Sequence, residues 1–250
     1  ETIDIHCGGQ DLIFPHHENE IAQAEAATGK PYVHYWMHNG YINVDNRKMS
    51  KSLNNFFTVR DVAEKYGYEP IKFMMIASHY RSPINYSVDV IEQNKAALER
   101  LYTARERMED ALSQATEAAQ PEDEALLKKL DERRAQFEAA MDDDLNTADA
   151  VAAIFDLARD TNTALAAGNT WSKAYVQAAT ELFDQLTDVL GIVYNRQKDS
   201  LDEEIEALIA KRQQARKDRD FKTADAIRDE LKSRGITLED TPQGVKWHKA

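Results

Sequence analysis

Residues 48–52 read KMSKS, and this basic stretch marks the point at which the sequence pattern changes from short strands to long helices. Two lysines three residues apart, with serines beside them, form a compact positive charge that suits the phosphates of a nucleoside triphosphate. The stretch lacks the glycines that cradle phosphate in a P-loop, so it indicates another kind of phosphate-binding loop. A solvated basic turn without a ligand is the alternative for so short a stretch.

The segments on either side of KMSKS predict different secondary structure. Before it, Tyr32–Trp36 and Gly40–Val44 have the β-branched and aromatic content of short buried strands. After it, Thr58 is followed three residues later by Asp61, a pattern typical of the start of a helix. The chain therefore changes from an α/β region to a helical region at about residue 57.

The region 109–195 is almost free of glycine and predicts a helix bundle. Apolar residues recur at helical spacing in two long stretches, with breaks near Gln120-Pro121 and Gly168-Asn169. Gly191 ends the last of these helices. The acidic run Asp142–Asp144 precedes a predicted helix, where negative charge is favourable with the helix dipole, and we prefer that interpretation to a metal site.

Residues 200–250 predict a separate small unit. Two short amphipathic helices, the second ended by Gly235, precede a hairpin whose turn lies at Thr241–Gly244. Within 211–219, five of nine positions are Lys or Arg, which indicates either a phosphate-facing patch or a solvated helix face. Trp247 either stacks on a base or fills the core of the unit.

Composition limits the class of protein. The chain has 250 residues, a net charge of −13 and one cysteine, which excludes an internal disulfide framework. Such an acidic balance argues against indiscriminate binding to nucleic acid, although the basic residues are clustered. No apolar run is long enough to span a bilayer and no signal-peptide pattern is present, so we expect a soluble, cytoplasmic protein without membrane contact.

Residues 14–20 read FPHHENE and carry a candidate metal site. Pro15 is suited to the first turn of a helix, where its missing N–H costs nothing. On such a helix His16 and Glu20 are four residues apart and project from the same face. An imidazole and a carboxylate at this spacing can hold two corners of a zinc tetrahedron. A hydrogen-bonded His–Glu pair without a metal is the alternative.

Together these segments resemble the cysteinyl-tRNA synthetases, a family of class I aminoacyl-tRNA synthetases. The matching stretches are FPHHENEIAQ at 14–23, YWMHNG at 35–40, KMSKSLNNFFTVRDV at 48–62, HYRSPINYS at 79–87, MDDDLNTADA at 141–150 and ITLEDTPQGVKW at 236–247. The resemblance implies an α/β C-terminal part of a Rossmann-like catalytic domain, followed by a mostly α-helical bundle and a small α+β C-terminal domain.

The family pattern also implies a division of the chain. Residues 1–57 would be the closing part of the catalytic domain with the KMSKS loop, and 58–108 a helical region that contacts the tRNA stem. Residues 109–195 would be the bundle that orients the anticodon stem. Residues 200–250 would bind the anticodon.

Two parts of the family pattern do not occur in these 250 residues. One is the ATP motif of the His-Ile-Gly-His type, and the other is the pair of cysteines that completes the zinc site. Cys7 stands where the family usually has glycine, so we do not assign it to the metal. We therefore expect the chain to lack the N-terminal half of the catalytic domain and to be inactive alone.

The implied reaction is the ATP-dependent ligation of L-cysteine to tRNA(Cys) through a cysteinyl-adenylate, carried out by a monomer. The cofactor is one zinc ion, which binds the thiolate of the substrate cysteine and so excludes serine. Two of its four ligands lie in this chain, and the other two are expected upstream.

The resemblance assigns these roles residue by residue, with Lys48 positioning the loop of Lys51. The predicted site residues are catalytic Lys48 and Lys51; ATP-binding Gly9, Asp11, His38 and Lys51; substrate-pocket His6 and Asp11; zinc-binding His16 and Glu20; and tRNA-binding Arg81, Lys211, Arg212, Arg216 and Trp247. For His6 and His38 the alternative is a packed, hydrogen-bonded histidine of the core.

Two other functions stay open at this point. A related ligase that joins cysteine to a sugar amine shares the same activation chemistry. The chain acting alone would instead be a tRNA-binding module without catalysis. The bundle and the C-terminal unit, with its basic and aromatic residues, favour tRNA over a sugar amine.

Overall fold

The computed structural model describes residues 2–49, 57–166, 170–196, 200–217, 220–241 and 244–249. They belong to two compact units, Glu1–Tyr194 and Asn195–Ala250. Within the described ranges, no helix combines the length and the apolar content that crossing a membrane requires.

The first unit begins with a βαβ crossover. Strand β1 (Ile3–Gly9) and strand β2 (Val33–Asn39) pair in parallel, and helix α1 (Glu18–Thr28) connects them. The register joins Ile3 to Val33 and Gly9 to Asn39, so both strands end at the same edge. Ligands of α/β folds bind outside this carboxyl edge.

The segment before α1 agrees with the prediction for Pro15. Residues Ile13–His17 form a π-helical turn in which only Phe14 has non-helical backbone angles, so Pro15, His16 and His17 lead directly into α1 at Glu18. Phe14 is extended, with φ −132° and ψ 133°, because the residue before a proline is pushed out of the α region.

A second small sheet follows. Strands β3 (Ile42–Val44) and β4 (Arg47–Lys48) form a hairpin, and β5 (Ile84–Tyr86) pairs in parallel with β3. Both hairpin residues, Asp45 and Asn46, have positive φ angles of 49° and 60°, as a two-residue hairpin turn requires. Both predicted strands are confirmed with shifted ends, because the pairing of β2 with β1 continues to Asn39.

The rest of the first unit is helical, as predicted. Helix α2 (Val59–Tyr66) has a capping box in which the Thr58 and Asp61 side chains each accept the other residue's backbone N–H. The other helices are α3 (Tyr68–Ile76), α4 (Val88–Gln114), α5 (Asp123–Asp142), α6 (Thr147–Ala166) and α7 (Lys173–Leu190).

Helices α4 to α7 pack around one hydrophobic core. Helix α4 runs without a break past residue 108, where the sequence predicted a boundary, because Leu101, Ala104, Met108 and Ala111 form one buried face. Gly191, with φ 62°, ends α7 as predicted.

The second unit consists of two helices and a hairpin. These are α8 (Ser200–Lys217), α9 (Phe221–Ser233), β6 (Ile236–Thr241) and β7 (Gly244–Lys249), the two strands being antiparallel. Its core contains Ile205, Ile209, Ile227, Leu231 and Ile236. This confirms the small α+β unit predicted for 200–250.

Candidate active site

Aromatic rings collect near the carboxyl edge of the parallel strands. His6 comes from β1, Trp36 and His38 from β2, and His17 from the turn before α1. The Trp36 ring lies between two imidazoles, 4.7 Å from the centroid of His6 and 5.6 Å from that of His38. These four residues, together with His16, are called the histidine cluster below.

His17 forms the buried floor of the histidine cluster. Its side chain is only 3% exposed, and its Nδ1 lies 2.9 Å from His38 Nε2, so one ring donates a hydrogen bond to the other. Burial is the main cause that lowers the pKa of His17, and the neighbouring His38 and His6 add to it. The ring is therefore neutral at physiological pH. Gly8 makes room for it, because a Cβ there would lie 2.7 Å from His17 Cε1.

Glu20 links two histidines through its two oxygens. Oε2 accepts a hydrogen bond from His6 Nε2 at 2.9 Å, and Oε1 lies 3.7 Å from His16 Nε2. Two ligands on one tetrahedral zinc ion are about 3.4 Å apart, given bonds of 2.0–2.1 Å. The His16–Glu20 pair therefore fits two corners of a zinc site, whereas His6 and Glu20 are at hydrogen-bonding distance. His6 orients the carboxylate, as outer partners of metal ligands do.

A second set of three residues also offers metal-binding atoms. His6, His17 and Glu20 each place one such atom within 4.8 Å of the others. We prefer His16 to His17, because His17 Nδ1 is bonded to His38 and its Nε2 faces the backbone of Gly8. The His16 side chain is 60% exposed, so an ion can reach it.

The other predicted pocket residues lie near the same edge. Gly9 is the last residue of β1, and Asp11 follows in a single 3₁₀ turn. The two are in close contact, because a Cβ on Gly9 would collide with Asp11 Oδ1. Lys48 ends β4, but its side chain lies outside the described residues, as does the whole of Lys51.

The predicted tRNA contact Arg81 is brought to this edge by a turn, residues 79–83, called the bridging turn below. The backbone N–H of Gly40, just after β2, donates to Tyr80 O at 2.8 Å. The side chain of Gln10, just after β1, donates to Arg81 O at 3.0 Å. The bridging turn is thus fixed to the ends of both parallel strands.

Asp144 has a role that the sequence did not predict. Rather than only complementing a helix dipole, its carboxylate accepts hydrogen bonds from Tyr80 Oη at 2.8 Å and Arg81 Nε at 2.6 Å. These two bonds, Arg81 first, lower the pKa of Asp144. Within the acidic run, Asp144 is therefore an ion-pairing residue.

The basic segment of the second unit needs a correction. Lys211 and Arg216 are exposed on α8, but Arg212 is only 7% exposed. Burial of Arg212 leaves little of its surface for RNA. Trp247 pairs through its backbone with Leu238, and its side chain lies outside the described residues.

Sequence reasoning missed several residues of the site. They are Gly8, His17, Trp36, Tyr80 and Asp144. The doubled histidine at 16–17 was the one available signal, since consecutive helical residues face different directions and so have different surroundings.

Comparison with known families covers most of the chain. A model described as the tRNA synthetases class I (C) catalytic domain matches residues 1–96. A DALR domain matches residues 136–195, and a cysteinyl-tRNA ligase anticodon binding domain matches residues 198–247.

Individual relatives agree with these models. Two proteins named cysteine–tRNA ligase, from Lachnospira eligens and Bacillus licheniformis, are 50% and 51% identical to this chain over its whole length. The chain spans about half the length of these curated relatives, 53% of each.

Solved structures support the fold. A LeuRS–tRNA–LeuAMS complex from Agrobacterium radiobacter K84 has a TM-score of 0.60 at 18% identity, over 74% of this chain and 25% of that one. Methionyl-tRNA synthetase from Mycobacterium tuberculosis, in complex with methionyl-adenylate, has a TM-score of 0.56 at 18% identity, over 75% and 41%. These structures support the fold alone; the three domain models and the relatives of 50% and 51% identity show that the chain belongs to the cysteinyl-tRNA ligase family of class I synthetases.

Proposed function

We propose that the chain is part of a monomeric enzyme that ligates L-cysteine to tRNA(Cys), coupled to cleavage of ATP. The observation that carries the proposal is the placement of His16 and Glu20 beside His6, at the carboxyl edge of the parallel strands. Membership of the cysteinyl-tRNA ligase family supports the identity of the substrates.

The reaction has two steps. The carboxylate of cysteine attacks the α-phosphorus of ATP, which forms cysteinyl-adenylate and releases pyrophosphate. A ribose hydroxyl of the terminal adenosine then attacks the acyl carbon, which forms the ester and releases AMP. Negative charge moves onto pyrophosphate in the first step, and Lys51, positioned by Lys48, would follow it. Gly9, Asp11 and His38 would line the nucleotide pocket, with His6 and Asp11 near the amino acid.

The metal site would select the amino acid. Bound zinc supplies a soft Lewis acid that prefers the thiolate of cysteine to the hydroxyl of serine. His16 and Glu20 would hold it, and the hydrogen bond from His6 keeps the Glu20 carboxylate turned toward His16. The hydrogen bond between the buried His17 and His38 would stabilise this part of the site, because it fixes the orientation of the His38 ring on β2.

The helical parts would bind the tRNA. We assign residues 1–57 to the catalytic domain, 58–108 to stem contact, 109–195 to the anticodon-stem arm and 200–250 to the anticodon. The anticodon binding domain matched at 198–247 favours tRNA over a sugar amine as the acceptor. Arg81, Lys211, Arg216 and Trp247 would contact the RNA, with Arg212 supporting the fold of α8.

A chimera tests this proposal. This chain would replace the matching residues of the Bacillus licheniformis relative, and cysteine-dependent exchange of pyrophosphate into ATP would be measured, followed by charging of tRNA(Cys). We expect both activities from the chimera and neither from the 250-residue chain alone. A folded chimera that binds tRNA(Cys) but shows no cysteine-dependent exchange would favour the binding module over the ligase.

A further inference from the structure

The bridging turn connects two parts of the first unit that are far apart in the sequence. On one side its backbone carbonyls accept hydrogen bonds from Gly40 and Gln10, at the ends of β2 and β1. On the other side its side chains reach Asp144, in the turn between α5 and α6. Asp144 is therefore connected, through the bridging turn, to the edge where the candidate active site lies.

Asp144 is held in one orientation by several contacts. Its Oδ1 accepts from Tyr80 and its Oδ2 from Arg81, while His79 Nε2 lies 3.7 Å from Oδ2. The backbone of Asp144 is left-handed, with φ 57°, and the next residue, Leu145, has φ 54°. Two consecutive non-glycine residues in this region are uncommon, and Asp is among the residues that tolerate it best.

Arg81 keeps most of its binding capacity despite this ion pair. Its hydrogen bond to Asp144 uses only Nε, and a guanidinium has five N–H donors. Its side chain is 58% exposed and lies over the ring of Tyr80, 5.5 Å from the centroid. Within the described residues, Asp144 is the only carboxylate that forms an ion pair with Arg81. A guanidinium that is held through Nε on a side chain 58% exposed keeps donors for bidentate binding of phosphate.

We propose that Asp144 is a positioning residue that presents Arg81 as the binding side chain for a phosphate group at the carboxyl edge of β1 and β2. Tyr80 assists by holding the second carboxylate oxygen. The inference rests on the proposed function, because that function brings two sources of phosphate to this edge: the backbone of the tRNA and the triphosphate of ATP.

The direction in which Asp144→Asn changes the affinity for RNA distinguishes a positioning role from simple charge repulsion. A carboxylate beside an RNA phosphate repels it, so its removal should tighten RNA binding. If Asp144 acts by positioning Arg81, Asp144→Asn should weaken binding instead, although it removes a negative charge. Asparagine tolerates the left-handed backbone as well as aspartate does. The matched control is Asp143→Asn, which removes the same charge from the neighbouring exposed residue.

The experiment measures equilibrium binding of labelled tRNA(Cys) and, separately, of ATP to the chimera described under Proposed function, with each substitution made in this chain's part of it. We expect Asp144→Asn and Arg81→Gln each to weaken binding of one ligand by roughly fivefold, about the effect of one phosphate contact. The ligand affected identifies the source of the phosphate. Asp143→Asn should leave binding unchanged or slightly tighter. In the Arg81→Gln background, Asp144→Asn should cause no further weakening.

Three results would overturn the inference. Tighter binding in Asp144→Asn, equal to that in Asp143→Asn, would reduce Asp144 to a repulsive charge. The same weakening with and without Arg81 would indicate only a structural role. If the unsubstituted chimera binds neither ligand, the proposed function fails and the inference fails with it. In the first two cases the unsubstituted chimera still binds, so the proposed function is unaffected.

Discussion

Gly40→Ala should displace the bridging turn from the ends of the parallel strands. A Cβ at residue 40 would lie 2.5 Å from the backbone carbon and oxygen of Ser82 and 2.8 Å from the nitrogen of Pro83. Ordinary van der Waals contact begins at 3.4 Å, so the turn must move by about 0.9 Å. Backbone atoms of a turn cannot rotate away as the end of a flexible side chain can.

The size of the effect follows from this displacement. Overpacking of this kind costs about 1–3 kcal/mol. The hydrogen bond from Gly40 N to Tyr80 O, now 2.8 Å, would stretch beyond the hydrogen-bonding range, which costs roughly 1 kcal/mol more. We therefore expect the free energy of unfolding of the first unit to fall by about 2–4 kcal/mol.

Denaturant unfolding and tRNA binding, measured on the same variant, test this reasoning. The control is Gly29→Ala, where φ is 66° and nothing lies within 4 Å of the added Cβ. That variant should lose about 1 kcal/mol from backbone strain alone and bind tRNA normally. Gly40→Ala should also weaken tRNA binding, because the displaced turn carries Arg81. The close approach would be refuted by a Gly40→Ala variant that loses less than about 0.5 kcal/mol and binds tRNA like the unsubstituted chain.

Four further predictions concern the metal site, the loop, the core and pH. His16→Ala should lose bound zinc, as measured by elemental analysis of the chimera, whereas the exposed His34→Ala should retain it. Lys51→Ala should slow pyrophosphate exchange in the chimera and leave tRNA affinity nearly unchanged; an unchanged exchange rate would contradict its role. Ile154→Ala, at a fully buried position, should lower the free energy of unfolding by about 2–5 kcal/mol, and a smaller loss in denaturant titrations would mean that the core collapses around the cavity. Hydrogen bonds lower the pKa of Asp144 in the folded chain. The ionised carboxylate therefore stabilises the fold above the pKa of the unfolded state, and this stabilisation is lost as pH falls through the folded pKa. The difference in melting temperature between the unsubstituted chain and Asp144→Asn should therefore shrink below about pH 4.

Periodic patterns predicted most of the elements, because they record which face of one element is buried. The capping box at Thr58 and the αL glycine at 191 have a local cause, so their residues alone indicated where helices begin and end. The division at residue 108 concerns tRNA contact and stays a prediction. Helix α4 itself does not end there, because its buried face continues through Met108 to Ala111.

The contacts that form the site join residues far apart in the sequence, so no periodic pattern in the sequence indicates them. Arg81 and Asp144 are 63 residues apart, and His17 and His38 are 21 apart. In the sequence, Arg81 appears as a free cation and Asp144 as part of an acidic run. Only the fold shows that these two charges are paired. A basic segment likewise does not show which of its members is buried, as Arg212 demonstrates.

The two adjacent histidines show how the structure decides what the sequence leaves open. Residues 16 and 17 are chemically identical, but His17 is enclosed by Gly8 and bonded to His38, while His16 is 60% exposed beside Glu20. His17 has one nitrogen bonded to His38 and the other close to the backbone of Gly8, which makes it less accessible to an ion. The exposed His16 ring lies 3.7 Å from a carboxylate oxygen of Glu20 and is open to solvent. Burial therefore separates the histidine that we propose as a metal ligand, His16, from its buried neighbour His17.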